Sequence, residues 1–291
     1  MAWQFERVAG PYAFGEGPVW RGDHLLFTDI RNNRIMKYYP DSGDCVEFRT
    51  GTLGANGLTQ DAQGRLYACE GDGRRVVVYE EGKDAIVLAD RFEGQQLNSP
   101  NDIVVDAKGR VWFTDPRFGD RTNMELDHES IFRLDPKDDG TYDITRVTFD
   151  TTRPNGLIVT PDMKTLLVAQ SDYGPDVKRE LRAYPIHDDG TVGDHEVLHN
   201  FYPHRAIDGM RLDVDGNIVA TAGWTQSGPG PMIYVFAPNG RVLGTHPIPE
   251  GISPTNCAFG DNDLSALYVT GNEGSLFRAR TKRTGMPVGN N

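Results

Sequence analysis

SPNDIVVDAKGRVWFTDP, residues 99–116, contains the pattern that decides the fold. Two polar residues, Asn101 and Asp102, precede an apolar run at 103–105, and a turn at 107–109 leads to a second apolar run at 111–113. Short apolar runs joined by a glycine-containing turn predict a pair of antiparallel strands. Asn101 therefore either only begins a strand or also carries a chemical function.

The same pattern recurs along the chain. Each repeat starts with a residue that has a side-chain oxygen, which we call its anchor, and continues with a short apolar segment, a turn and a second apolar segment. The anchors are Glu16, Asn56, Asn101, Asn155, Asp208 and Asn256. They are 40, 45, 54, 53 and 48 residues apart, and a third and usually a fourth strand-like segment complete each repeat. Four short strands at this period predict one blade of a β-propeller.

The number of repeats predicts an all-β fold, a six-bladed β-propeller with four-stranded blades. The last repeat ends after its third strand near Arg280, whereas the strand-like segment 4–9 has no repeat of its own. We expect this N-terminal strand to complete the last blade, because closing the ring removes exposed sheet edges. No linker divides the sequence, so residues 1–291 are expected to form a single domain, with a loose tail at 281–291.

Composition narrows the choice of partners and compartment. The formal net charge of −12 disfavours nucleic acid and anionic membranes as partners, and we expect a small-molecule ligand instead. We also expect a monomer or a small homo-oligomer. Cys45, Cys69 and Cys257 are odd in number and widely spaced, which predicts free thiols and no zinc motif. The sequence shows neither a signal-peptide pattern nor an apolar run of transmembrane length, so we expect a cytoplasmic protein.

The anchors predict a metal site on the propeller axis. The first strand of each blade lines the central channel, so residues at equivalent positions converge there. Glu16 and Asp208 would repel each other in a narrow channel, and a divalent cation would balance both charges. All-oxygen ligation favours a hard ion, calcium first and then magnesium or manganese. Alternatively, the anchors are only turn residues, because Asn-Gly and Asp-Gly are ordinary turn dipeptides. This interpretation stays open for Asn56 and Asn256 but does not account for Glu16.

Five segments together resemble the SMP-30/gluconolactonase/LRE family over nearly the whole chain. They are EGPVW (16–20), NSPNDIVVDAKGRVWFTDP (98–116), RPNGL (153–157), DGMRLDVDGNI (208–218) and SPTNCAFG (253–260). The resemblance implies a six-bladed propeller with one catalytic divalent cation held by Glu16, Asn155 and Asp208. For the identity of the ion we expect calcium, with magnesium, manganese and zinc as the alternatives. It also implies that Asn101 contacts the substrate or the metal. Ser99 stands where mammalian members carry an arginine that helps to hold the sugar, so their substrate range is not implied.

The family resemblance implies hydrolysis of sugar lactones, and the residues agree with a metal-assisted hydrolase. The cation would polarise the lactone carbonyl while Asp208 assists the attacking water, opening the lactone to the sugar acid. Direct metal ligation weakens a carboxylate as a base, so either the second oxygen of Asp208 stays free or the metal itself acidifies the water. The alternatives are a phosphotriesterase-type hydrolase in the same pocket and a non-catalytic binding propeller with a structural metal.

Loops at the channel mouth are expected to determine substrate specificity. The longest runs from 115 to 130 and contains Arg117, which we predict to bind substrate together with Tyr173 in the loop 170–178. The alternative for each of these side chains is a solvated loop residue without a role in binding. His204 and Arg205 are expected at the same mouth. The sequence has no GxSxG motif, which argues against a serine esterase.

Overall fold

The computed structural model describes residues 2–171 and 178–289. Within these ranges the regular structure consists of six four-stranded antiparallel sheets, one two-stranded hairpin and one short 3₁₀ helix at Ile30–Asn32. The hairpin pairs β10 (Arg91–Phe92) with β11 (Gln95–Gln96). No helix in the described ranges is long and apolar enough to cross a lipid bilayer. The predicted all-β, six-bladed propeller is confirmed.

Each of the first three blades runs from an inner strand to an outer strand in chain order. Blade one comprises β2 (Gly15–Trp20), β3 (Leu25–Asp29), β4 (Arg34–Tyr38) and β5 (Cys45–Thr50). Blade two comprises β6 (Ala55–Gln60), β7 (Leu66–Glu70), β8 (Arg75–Tyr79) and β9 (Ile86–Ala89). Blade three comprises β12 (Ile103–Val105), β13 (Val111–Asp115), β14 (Ser130–Pro136) and β15 (Tyr142–Arg146).

Blades four and five repeat this order, and blade six takes its outer strand from the N-terminus. Blade four comprises β16 (Pro154–Val159), β17 (Thr165–Ser171), β18 (Arg179–Pro185) and β19 (Glu196–Asn200). Blade five comprises β20 (Ile207–Leu212), β21 (Ile218–Trp224), β22 (Ser227–Phe236) and β23 (Val242–Pro247). Blade six comprises β24 (Pro254–Gly260), β25 (Ala266–Gly271), β26 (Leu276–Arg280) and β1 (Glu6–Ala9).

The six blades form a closed ring. Each inner strand contacts the inner strands of both neighbouring blades, in the cyclic order β2, β6, β12, β16, β20, β24 and back to β2. Strand β1 pairs antiparallel with β26, with Glu6 opposite Arg278. The N-terminal strand therefore completes blade six, as predicted, and ties the two ends of the chain together.

The core lies between adjacent blades. One cluster joins Val104 and Trp112 of blade three to Leu157 and Val168 of blade four, and all four side chains are buried. Inner strands β12 and β16 are buried along their whole length. The outer strands are largely exposed, as in β5. Packing between blades therefore fixes the inner strands, and with them the anchors, relative to one another.

The prediction of a loose tail is wrong for residues 281–289, which pack under the ring. The Met286 N–H donates to the carbonyl of Leu212 at 2.9 Å, and Arg283 Nη1 lies 2.6 Å from the buried carboxylate of Asp213. Met286 and Val288 pack against two of the core clusters. The tail is held because its apolar side chains cover the end of the channel opposite the anchors, beside Arg211.

Truncation after residue 282 is expected to lower the melting temperature. Partial burial of two apolar side chains corresponds to about 2 kcal/mol, which for a chain of this size is a shift of roughly 5 °C. Differential scanning calorimetry would measure the shift, with a chain shortened only by residues 290–291 as the control. Equal melting temperatures for the two truncated chains would show that the tail contacts do not stabilise the ring.

Candidate active site

Five of the six inner strands present their anchors at β-bulges. In blade one, Glu16 pairs with Thr28 but Val19 pairs with Leu26, so β2 holds one residue more than its partner strand over this stretch. The inner strands of blades two, four, five and six likewise shift register by one residue over the stretch that contains the anchor. A bulge bends the strand and re-aims the side chain beside it.

Glycine follows four anchors because neighbouring inner strands approach closely there. A Cβ on Gly57 would lie 2.6 Å from the carbonyl oxygen of Asn101, and one on Gly156 would lie 2.5 Å from that of Asp208. The Gly57 N–H donates to the Asn101 carbonyl at 2.8 Å. Asn56 and Asn256 lie inside β6 and β24, so the reading of these anchors as turn residues is wrong.

Two aspartates fix the backbone that leads into two of the anchors. Asp29, at the end of β3, accepts hydrogen bonds from two backbone N–H groups just ahead of Glu16, at 2.9 and 3.1 Å. Asp115, at the end of β13, accepts two from the segment ahead of Asn101, both at 2.8 Å. Burial raises the pKa of Asp115 to about 7. The sequence Phe-Thr-Asp ends both strands and is the local pattern that marks these two hydrogen-bonding aspartates.

A cavity of about 350 Å³ lies at the channel mouth. Its lining residues are Phe14, Glu16, Ile30, Arg31, Asn56, Asn101, Phe118, Asn155, Arg205 and Asp208. All four predicted metal-site residues therefore line one pocket, together with a fifth anchor. The sixth anchor, Asn256, donates a hydrogen bond from Nδ2 to Glu16 Oε2 at 3.0 Å.

The pocket floor is strongly acidic. Burial raises the pKa of Glu16 well above its ordinary value, and the nearby charges of Asp208 and Asp102 raise it further. Burial also raises the pKa of Asp208, although the Arg205 guanidinium in contact with it and a hydrogen bond from Asn155 oppose the shift. Arg205 is itself held by the carbonyls at positions 223 and 254, at 3.0 and 3.1 Å.

The donor set of the pocket fits a hard cation. No three His, Cys, Asp or Glu side chains of residues 2–171 and 178–289 converge closely enough to hold a metal, so amide oxygens would have to complete the set. Asn56 Oδ1 is buried and has no hydrogen-bond partner in those ranges. A buried amide oxygen without a hydrogen-bond donor is costly, and a cation that takes oxygen ligands would give it a partner beside Glu16 and Asp208.

Comparison with known proteins assigns the family. The SMP-30/Gluconolactonase/LRE-like region matches residues 14–273. This chain belongs to that family. The gluconolactonase of Zymomonas mobilis is 31% identical, over 96% of this chain and 82% of the relative. The pentonolactonase of Haloferax volcanii is 30% identical over 94% and 92%. The solved structure of a gluconolactonase from Xanthomonas campestris has a TM-score of 0.82 and 30% identity, covering 96% of this chain and 89% of that one.

In this SMP-30 family member, one of the residues predicted at the channel mouth, Arg205, lines the pocket, whereas Arg117 does not. Arg117 is not among the residues that line the pocket, because its guanidinium donates to the carbonyls of Asn98 and Asp120 at 2.9 and 2.7 Å. The next residue, Phe118, lines the pocket instead. Tyr173 lies outside the described residues. Arg205 lies in the pocket, at the mouth where it was expected.

Three further residues in or near the pocket were not predicted from the sequence as site residues. Asp102 is 1% exposed and does not line the pocket, but its charge raises the pKa of both Glu16 and Asp208. Ile30 and Arg31 line the pocket from the connection between the second and third strands of blade one. The loops between the second and third strands of other blades were predicted to lie at the channel mouth. The equivalent position of Arg31 in its own repeat could therefore have placed it there too.

Proposed function

We propose that this protein is a lactonase that opens a sugar lactone to the corresponding sugar acid with a divalent cation bound in the channel. The observation that carries the proposal is the convergence of Glu16, Asn101, Asn155 and Asp208 in one pocket. The relatives that are about 30% identical over nearly the whole chain are lactonases for gluconate- and pentonate-type lactones. A cavity of about 350 Å³ is large enough for a single sugar ring.

Glu16, Asn155 and Asp208 would hold the cation, and Asn101 would contact the cation or the substrate. The cation, when bound, would supply positive charge that polarises the lactone carbonyl. We propose calcium, because every donor is oxygen and two are carboxylates; magnesium, manganese and zinc are the ions to compare with it.

Asp208 is proposed to handle the proton of the attacking water. Water adds to the carbonyl carbon, one of its protons passes to Asp208, and cleavage of the ring C–O bond returns that proton to the departing ring oxygen. Arg205 favours the ionised form of Asp208, which is the form that can accept the proton. Asn155 donates a hydrogen bond to the same carboxylate and so helps to orient it.

A substrate panel tests this function. We expect turnover of at least one aldono-1,4- or 1,5-lactone, with kcat/KM of at least about 10⁴ M⁻¹s⁻¹, followed as acid release with a pH indicator and corrected for spontaneous hydrolysis. A phosphotriester with a chromogenic leaving group forms the parallel arm. Turnover of the triester with none of the lactones above background would overturn the lactonase assignment.

A further inference from the structure

A positively charged side chain stands at the rim of the acidic pocket. Arg31 lies in the 3₁₀ helix Ile30–Asn32, is exposed, and lines the pocket. Its guanidinium carbon lies 5.1 Å from the centroid of the Phe14 ring, which lines the same pocket. Stacking on an aromatic face orients a guanidinium while its N–H groups stay available at the edge.

The carboxylate of Asp29, two residues before Arg31 in the sequence, is already engaged in hydrogen bonds. Asp29 accepts hydrogen bonds from Asn32 and Arg34 at 2.8 and 2.9 Å, in addition to its two backbone donors. Throughout the two described ranges, Arg31 forms no ion pair with a carboxylate. Its charge therefore faces the pocket and the solvent and is not neutralised inside the protein.

A second arginine–aromatic pair lies at the mouth. The Arg153 guanidinium carbon is 5.5 Å from the centroid of Phe118, whose ring lines the pocket. Arg31 belongs to blade one and Arg153 directly precedes the inner strand of blade four, and these blades are opposite each other in the six-membered cyclic order. Positive charge therefore stands at the rim above the acidic floor, although the whole chain has a net charge of −12.

We propose that the pocket takes a sugar lactone with an anionic group, a phosphate, sulfonate or carboxylate, on a carbon remote from the lactone carbonyl, and that Arg31 binds this group. The proposal rests on the proposed lactonase function and specifies its substrate. The lactone end would meet the oxygen ligands of the floor, while a charge-assisted hydrogen bond forms at the rim. The negative charge of the rest of the protein favours a small anion over a polyanion such as nucleic acid.

The kinetic test compares glucono-1,5-lactone with its 6-phosphate and its 6-deoxy-6-sulfonate. We expect the wild-type protein to favour an anionic lactone by roughly tenfold or more in kcat/KM. Arg31→Gln should remove that preference and leave the rate for the neutral lactone within about twofold, and Arg31→Lys should retain part of it. Arg241→Gln, at an exposed arginine in blade five, is the matched control and should change neither rate. An equal loss for neutral and anionic lactones in Arg31→Gln would overturn the proposal.

A binding measurement separates this proposal from the lactonase assignment. Isothermal titration calorimetry would compare gluconate with 6-phosphogluconate, and neither ligand requires turnover. We expect tighter binding of the phosphorylated acid in the wild type and loss of the difference in Arg31→Gln. Equal affinities in the wild type would overturn the rim site even if neutral lactones are hydrolysed. The expected binding difference without hydrolysis of any lactone would support the rim site and overturn the lactonase function.

Discussion

Asp208→Asn is expected to reduce kcat for lactone hydrolysis by about a thousandfold, within the range that proton transfer by a positioned side chain contributes. Asp208 is buried at the pocket floor, in contact with Arg205 and hydrogen-bonded to Asn155. The amide has nearly the same shape, so the lining is preserved, but it cannot accept the proton of water. It also removes one of the two carboxylates proposed to hold the cation.

Three measurements on Asp208→Asn distinguish the roles of this residue. Circular dichroism and the melting temperature report whether the propeller is retained, initial rates report turnover, and calorimetric titration with calcium reports metal affinity. Asp188→Asn, at an exposed aspartate in blade four, is the control and should behave as the wild type. Loss of turnover with calcium still bound would assign Asp208 to the chemistry. Unchanged turnover would remove Asp208 from the mechanism.

The convergence of the anchors could be predicted because it follows from residue type and from the spacing of the repeats along the sequence. Glu16 and Asp208 are far apart in the sequence, but each occupies the same position in its repeat. A closed ring brings equivalent positions to one axis, so residue type and spacing were sufficient to place both in the pocket. The bulges beside five of the anchors could not be recognised in the sequence, because the glycine that follows four of these anchors is also a common turn residue.

Other features depend on where loops and the tail run in three dimensions. The sequence cannot show whether Arg117 donates to a substrate or to loop carbonyls, because both choices satisfy the same guanidinium. The pairing of Arg205 with Asp208 likewise depends on the path of the loop that enters blade five. The tail was expected to be loose because Gly, Pro and Asn dominate it, yet Met286 and Val288 supply enough apolar surface to hold it under the ring.

Removal of calcium is expected to abolish turnover and to destabilise the protein, more strongly at high pH. At a calcium concentration 100-fold above the dissociation constant, binding contributes about 2.7 kcal/mol, or roughly 5 to 10 °C in melting temperature. Chelation followed by resupply of calcium, magnesium, manganese or zinc would rank the ions by restored turnover. A chelated protein with full activity would contradict the metal-dependent mechanism.

The pH dependence follows from the two buried carboxyls at the centre of the site. The raised pKa values of Glu16 and Asp208 mean that the metal-free folded protein keeps protons that the unfolded chain releases above about pH 4. The metal-free fold therefore loses stability as the pH rises from there toward the folded-state pKa values. In the proposed metal-bound site calcium would replace those protons, so the calcium-induced rise in melting temperature should be larger at pH 8 than at pH 5. Glu16→Gln removes one of the charges and should be more stable than the metal-free wild type at pH 8 while responding less to calcium. A calcium response that is the same at both pH values would show that these carboxyls do not bind the ion.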